Sequence, residues 1–248
     1  MNENKTNINW YPGHMVKAQN EIKENLKLID IVVEVLDARI PLSSSNPLLN
    51  EISKDKKRII VLNKSDLADE TKNLIWKKYF ENKGFTCVLT SANANENIKK
   101  IVDSINTLGK EIYDKKYASK NINVNPIYRV LIVGIPNVGK STIINKISNK
   151  QVANVGNKPG VTKKKQWVRV SGNIDLLDTP GILWPRLDEK DAGIKLALTG
   201  NIKQEVVDSE ELEVEGIKFF INSKEYLTKF IEKYKLTKED LELNEYDI

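Results

Sequence analysis

Cysteine is nearly absent: the 248 residues hold one, Cys87. One thiol cannot build an internal disulfide framework, and its rarity fits a reducing compartment. Long hydrophobic runs are missing as well. The most apolar stretches, IIVL at 59–62 and VLIVGI at 130–135, are strand-sized and far short of the roughly 20 residues that a membrane-spanning helix needs. The opening MNENKTNINW has no apolar segment that could act as a signal peptide. No internal repeat or low-complexity tract occurs, so a repeat architecture is excluded. These absences predict a soluble, cytoplasmic protein without a membrane partner.

What is present is 40% hydrophobic and 29% charged, enough for one sizeable α/β domain and a smaller appendage. The net charge of +5 conceals an asymmetry. Residues 203–248 hold 7 Lys/Arg against 13 Asp/Glu and carry −6, which leaves +11 on residues 1–202. A basic body with an acidic tail suggests a polyanionic partner, nucleic acid first; a general preference for surface lysine accounts for the same numbers.

IVVEVLDA (31–38), RIIVLN (58–63) and TCVLTSA (86–92) have the length and β-branched content of buried parallel strands. Between them, 46–54, 69–82 and 95–113 read as helices, with Asp69 and Asn95 as N-caps of the last two. Polar 114–126 reads as a linker. IYRVLIVG (127–134) is a fourth strand, and KQWVRV (165–170) with IDLLDT (174–179) forms a hairpin across Ser171-Gly172-Asn173. Further helices are expected at 188–199 and 223–234. The alternation predicts βαβ units in a doubly wound, mostly parallel α/β sheet, with a main domain over 1–187 and a helical region over 188–248.

Gly134-Ile135-Pro136-Asn137-Val138-Gly139-Lys140-Ser141 fits a P-loop, followed by Thr142 in the helix it opens. Its backbone N–H groups and the helix N-terminus suit phosphates, Lys140 would reach the β- and γ-phosphates, and Ser141 would ligate Mg²⁺. Asp178-Thr179-Pro180-Gly181 is a DxxG, a pattern that occurs about once per chain by chance. Its place at a strand end, about forty residues past the P-loop, gives it meaning. Asp178 would hold Mg²⁺ through a water, and the Gly181 N–H would meet the γ-phosphate. Thr162, on the breaker-rich loop 156–162, is the expected second Mg²⁺ ligand. Asn63-Lys64-Ser65-Asp66 selects the base, because a carboxylate at Asp66 can accept from guanine N1–H and the 2-amino group, donors that adenine lacks on that edge. The Lys64 stem would cover the base, and the backbone at Ser91-Ala92 would meet guanine O6.

The guanine-recognition motif thus precedes the P-loop, the reverse of the Ras order. A parallel sheet tolerates such a cut provided each strand keeps its neighbours. The predicted fold is therefore a circularly permuted, Ras-like P-loop GTPase that takes GTP or GDP with Mg²⁺.

With these motifs, Trp10-Tyr11-Pro12-Gly13-His14-Met15, Asp37-Ala38-Arg39-Ile40-Pro41, Pro159-Gly160-Val161-Thr162, Gly181-Ile182-Leu183-Trp184-Pro185 and Leu196-Ala197-Leu198-Thr199-Gly200 resemble the circularly permuted GTPases of the YlqF/RbgA type. The likeness runs from residue 9 to about 200. It implies a GTP-hydrolysing assembly factor of the large ribosomal subunit that contacts rRNA, with no role on DNA. It also implies a fuller C-terminal helical domain than the 48 residues 201–248 provide. Where Ras-like enzymes orient water with a glutamine, this chain has Ile182. The resemblance supplies His14, the single histidine, as the catalytic group, and Asn137 as a ligand for a potassium ion. Lys163-Lys164-Lys165 is a candidate RNA contact, and Lys54, Lys56, Lys57 and Arg58 form a second basic cluster; a solvated surface accounts for either equally. Two other readings stay open: a GTPase acting on a different target, and a nucleotide-dependent binding module with negligible turnover, for which Ile182 argues.

Overall fold

The computed structural model describes residues 23–117, 125–149, 166–170, 172–178, 190–204 and 207–237. Six strands occur among them: β1 (Ile31–Asp37), β2 (Lys57–Asn63), β3 (Thr86–Leu89), β4 (Tyr128–Val133), β5 (Gln166–Val170) and β6 (Ile174–Asp178). They form one sheet in the order β3-β2-β1-β4-β6-β5. Every pairing is parallel except β5 with β6, the expected hairpin. All seven residues of β1 are buried, as a central strand covered on both faces requires. Val33, Val35, Ile59, Val61, Val130 and Ile132 build the larger core on one face. Val32, Leu131 and Val133 face a second cluster, and Leu36, Ile60 and Leu62 a third.

The helices are α1 (Pro41–Ser44), α2 (Pro47–Ile52), α3 (Glu70–Asn82), α4 (Ile98–Tyr117), α5 (Lys140–Ser148), α6 (Lys190–Leu198), α7 (Ser209–Ile221) and α8 (Lys224–Tyr234). Asp69 caps α3 as expected, its carboxylate accepting from the Lys72 N–H at 2.7 Å. Asn95 does not cap α4. Asn95 and Asn97 both adopt left-handed backbone (φ 61° and 56°), a bridge pairs Ser91 with Glu96, and the helix opens only at Ile98. At its other end α4 runs to Tyr117, so 114–117 are helical rather than linker. Lys115 and Lys116 there complement the negative end of the helix dipole. The helix expected over 46–54 is present but short, Pro47–Ile52, and a further short helix, Pro41–Ser44, precedes it; each is begun by a proline. Among the described residues no helix is long and apolar enough to cross a membrane.

Within the basic cluster at 54–58, Lys54 and Lys57 are exposed while Lys56 and Arg58 are engaged by the protein. Arg58 and Glu34 are both buried and ion-paired. Arg58 also donates to Asn50 Oδ1 at 2.6 Å and lies over the Phe85 ring at 4.8 Å. Glu34 accepts from the Asn46 N–H at 2.9 Å, and Lys56 Nζ is spent on the Ile29 carbonyl at 2.7 Å. Removing one member of a buried pair leaves an uncompensated charge. Arg58→Met is therefore expected to destabilise the fold by about 3–5 kcal/mol, read as a lowered midpoint in urea with an unchanged slope.

Candidate functional site

The motifs converge because the parallel register brings the carboxyl ends of the strands to one edge of the sheet. Asp37 of β1 pairs with Asn63 of β2, and Leu62 with Leu89 of β3. On the other side of β1, Ile132 of β4 pairs with Asp178 of β6. The loops after β2, β3 and β4 carry the three sequence motifs of the base and phosphate sites.

Asn63 ties these loops together. Its Nδ2 donates to the Val138 carbonyl in the P-loop at 2.7 Å, and its Oδ1 accepts from the Ala92 N–H at 3.0 Å. Both contacts are buried, so each polar group finds its partner inside. The base loop is also pinned by the Ser65 N–H on the Thr90 carbonyl (3.1 Å) and by Asn73 Nδ2 on the Ser65 carbonyl (2.9 Å). Lys64 takes left-handed backbone, and Asp66 sits exposed in the 3-10 turn Ser65–Leu67 that follows. The Ser91 hydroxyl is buried and has no hydrogen-bond partner among the described residues.

The P-loop wraps from β4 into α5. Gly139 holds φ 100° at the head of α5, and a Cβ there would overlap Asn63 Nδ2. Lys140 is buried, with Nζ donating to the Ile135 carbonyl inside the loop at 2.9 Å. Ser141 and Thr142 are half-buried in the first turn of α5. Asn137 also has left-handed backbone (φ 55°), and its Nδ2 donates to the Gly200 carbonyl at 3.1 Å. A cradle that only glycine fits, lined with helix N–H groups and a buried lysine, suits a polyphosphate.

Sequence reasoning missed Asp37 as the hub of the neighbouring charges. Its buried carboxylate receives Arg39 Nε at 2.9 Å and Arg39 Nη2 at 2.7 Å, Lys64 Nζ at 3.0 Å and Asn201 Nδ2 at 3.0 Å. Burial pushes the Asp37 carboxyl up, but the Arg39 hydrogen bonds, the Lys64 charge and the Asn201 amide outweigh it and hold it below the ordinary carboxylate value. A lowered folded value means that protonation opposes folding. The stability this group supplies is complete above the ordinary carboxylate range and is lost as pH falls through the folded value. A signal was available, since an Asp-x-Arg at the end of a strand buried along its whole length needs a partner charge.

His14, Thr162, Gly181, Ile182 and Lys163-Lys164-Lys165 lie outside the described residues. The backbone of Asp178 pairs with Ile132 of β4 and with Gln166 of β5.

Comparison with known proteins decides the family. A family model described as 50S ribosome-binding GTPase matches residues 129–247. Ribosome biogenesis GTPase A of Bacillus cereus is 45% identical over 92% of this chain and 76% of its own length. The chain belongs to the ribosome biogenesis GTPase A family. The Thermotoga maritima member is 35% identical over 87% of this chain and 74% of its own length. GNP-bound YlqF from T. maritima superposes with a TM-score of 0.58 at 31% identity, covering 93% of this chain and 89% of that one. A GDP-bound YlqF gives 0.59 at 30%, covering 92% and 89%. As a ribosome biogenesis GTPase A family member the chain is a circularly permuted GTPase, and its ligand is a guanine nucleotide.

Alanine at 139 would have to adopt left-handed backbone and displace Asn63 together. Gly139→Ala is expected to weaken binding of a fluorescent GDP by about tenfold or more, measured by titration, with the circular dichroism spectrum unchanged.

Proposed function

We propose that the chain is a ribosome assembly factor that binds and hydrolyses GTP and acts on the large ribosomal subunit through its rRNA. The observation that carries the nucleotide part is the Asn63 bridge, which locks the candidate base loop to the candidate phosphate cradle. In this reading Asp66 accepts from guanine N1–H and the 2-amino group, the Lys64 stem covers the base, and the Ser91-Ala92 backbone meets O6. Val138, Gly139, Lys140, Ser141 and Thr142 hold the phosphates, while Thr162 and the Gly181 N–H sense the third one.

Mg²⁺, held by Ser141, by Thr162 and through water by Asp178, supplies neutralisation of charge on the phosphates when bound. Asn137 is suited to a potassium ion, because its amide nitrogen is occupied by Gly200 and Oδ1 is the atom a cation needs. Since Ile182 has no polar atom to orient water, His14 takes that task. The ribosomal part of the reading rests on the relatives named for ribosome biogenesis and on the family model described as 50S ribosome-binding. The +11 charge of residues 1–202 suits an RNA surface. Lys163-Lys164-Lys165, beside the third-phosphate sensor, is the RNA contact that would follow the nucleotide state.

Two experiments test this. Asp66→Asn should lose GTP and gain xanthosine triphosphate, whose 2-oxo group needs a donor where guanine has one; unchanged GTP affinity removes the base assignment. Large subunits should co-sediment with the chain more strongly in a GTP analogue than in GDP and should raise GTP turnover. In His14→Ala that turnover should fall by about a hundred- to ten-thousandfold while affinity holds. Parent-like turnover in the variant makes His14 structural, and absence of co-sedimentation sinks the ribosomal reading.

A further inference from the structure

The nucleotide loops and the C-terminal helices meet at one turn, Thr199-Gly200-Asn201, directly after α6. Asn201 is fully buried, with Nδ2 donating to Asp37 Oδ2 at 3.0 Å and to Thr199 Oγ1 at 2.8 Å. The same Oδ2 receives Lys64 Nζ. Arg39 closes the arrangement, because the Nη2 that grips Asp37 also donates to the Thr199 carbonyl at 2.8 Å. One residue before Asn201, the Gly200 carbonyl receives Asn137 Nδ2. The turn therefore holds one residue of each nucleotide loop: Asn137 of the phosphate cradle directly, and Lys64 of the base loop through Asp37.

The orientation of the Asn201 amide shows which contact rules. Turned the other way, it would set its own carbonyl oxygen against the Asp37 carboxylate. As it stands, Oδ1 is buried without a hydrogen-bond partner among the described residues. A buried orphan acceptor is unfavourable, so the contact with Asp37 decides the geometry.

We infer that this turn is a release lever for the nucleotide. Asp37 is a positioning residue for Lys64, with Asn201 seated on its Oδ2 and Thr199 on the Arg39 that grips it. A partner that draws α6 and the helices after it off the body therefore loosens the base loop and the phosphate cradle together. Both loops serve GTP and GDP alike, so the lever is blind to the third phosphate and acts as a built-in exchange device. By linkage, bound nucleotide of either kind seats the turn as strongly as the turn holds the nucleotide. The inference rests on the reading of 63–66 as the base loop and of 134–141 as the phosphate cradle.

The test is the release of fluorescent GDP and of a fluorescent, non-hydrolysable GTP analogue from the full chain, followed by stopped flow. Asn201→Ala should speed release of both by about tenfold, the effect of one hydrogen bond to a charged group. Asn201→Asp keeps the shape but sets a second carboxylate against Asp37, and should speed release further. Asp37→Asn combined with Asn201→Ala should be no faster than Asp37→Asn alone. In the parent chain, GDP and the analogue should protect amides of 190–204 from hydrogen exchange equally. Parent-like release in the folded variants, acceleration confined to the GTP analogue, or additive effects in the double variant would each overturn the lever. If the Asn201 variants do not fold, the parent exchange decides, and equal protection of 190–204 with and without GDP overturns it. A xanthine switch in Asp66→Asn alongside parent-like release removes the lever and leaves the guanine reading standing. Unchanged base preference with accelerated release removes the base-loop arm of the lever along with the guanine assignment and leaves only the coupling through Asn137.

Discussion

A single buried amide holds the loops of the candidate site in register. Asn63 joins a loop 75 residues ahead of it to another 29 residues ahead, using its donor on one and its acceptor on the other. Neither contact survives a slip of the strands. Moving β2 by one residue displaces Asn63 by about 3.3 Å along the strand, more than a hydrogen bond tolerates. The seven-residue pairing of β1 with β2 and the pairing of β1 with β4 set that register. The permuted order of motifs is possible for the same reason: base loop and phosphate cradle are tied by register and one side chain, so their covalent order is free to change.

β1 carries two buried carboxylates that serve different ends. Glu34 and Asp37 stand three residues apart and so point to opposite faces of the strand. Glu34 is neutralised by Arg58, from the neighbouring strand, and by backbone from the start of α2. That pair fixes how the first helices sit against the sheet. Asp37 lies at the strand's end, where Arg39, two residues on, and the distant Lys64 and Asn201 all reach it. The first is an anchor, while the second is a junction whose members can be separated.

The central strands β1, β2 and β4 were legible as largely β-branched and aliphatic runs, and β5 with β6 as two short runs split by Ser171-Gly172-Asn173. The loops that carry the candidate phosphate and base motifs were legible because each directly follows a strand, β4 and β2. What escaped the sequence depends on distance or on mixed signals. Helix α7 begins with Asp208, whose carboxylate accepts from the Glu211 N–H at 3.0 Å, a capping pattern that could have found it. Gly216 and the adjacent aromatics Phe219 and Phe220 blur its apolar stripe. Asn95 looked like a cap by residue type, but left-handed backbone and the Ser91–Glu96 bridge delay the helix. The Asp37–Asn201 contact spans 164 residues, and no local pattern announces it. Within the 54–58 cluster, a run of charges in sequence does not say that Arg58 alone turns inward.

The strand order also has a kinetic side. β3, β2 and β1 all lie within the first 89 residues, and β4, β6 and β5 come after Tyr128, so the sheet is two three-strand blocks joined only along the β1–β4 seam. A chain leaving the synthesis machinery at about 5–20 residues per second completes the first block seconds before β4 is available. During that interval β1, five of its seven residues aliphatic, is an open edge of the kind that invites association with other chains. The charged pair Glu34–Arg58 sits within this first block and can form before the second exists. The nascent half is thereby given a fixed geometry on which β4 can later be laid down.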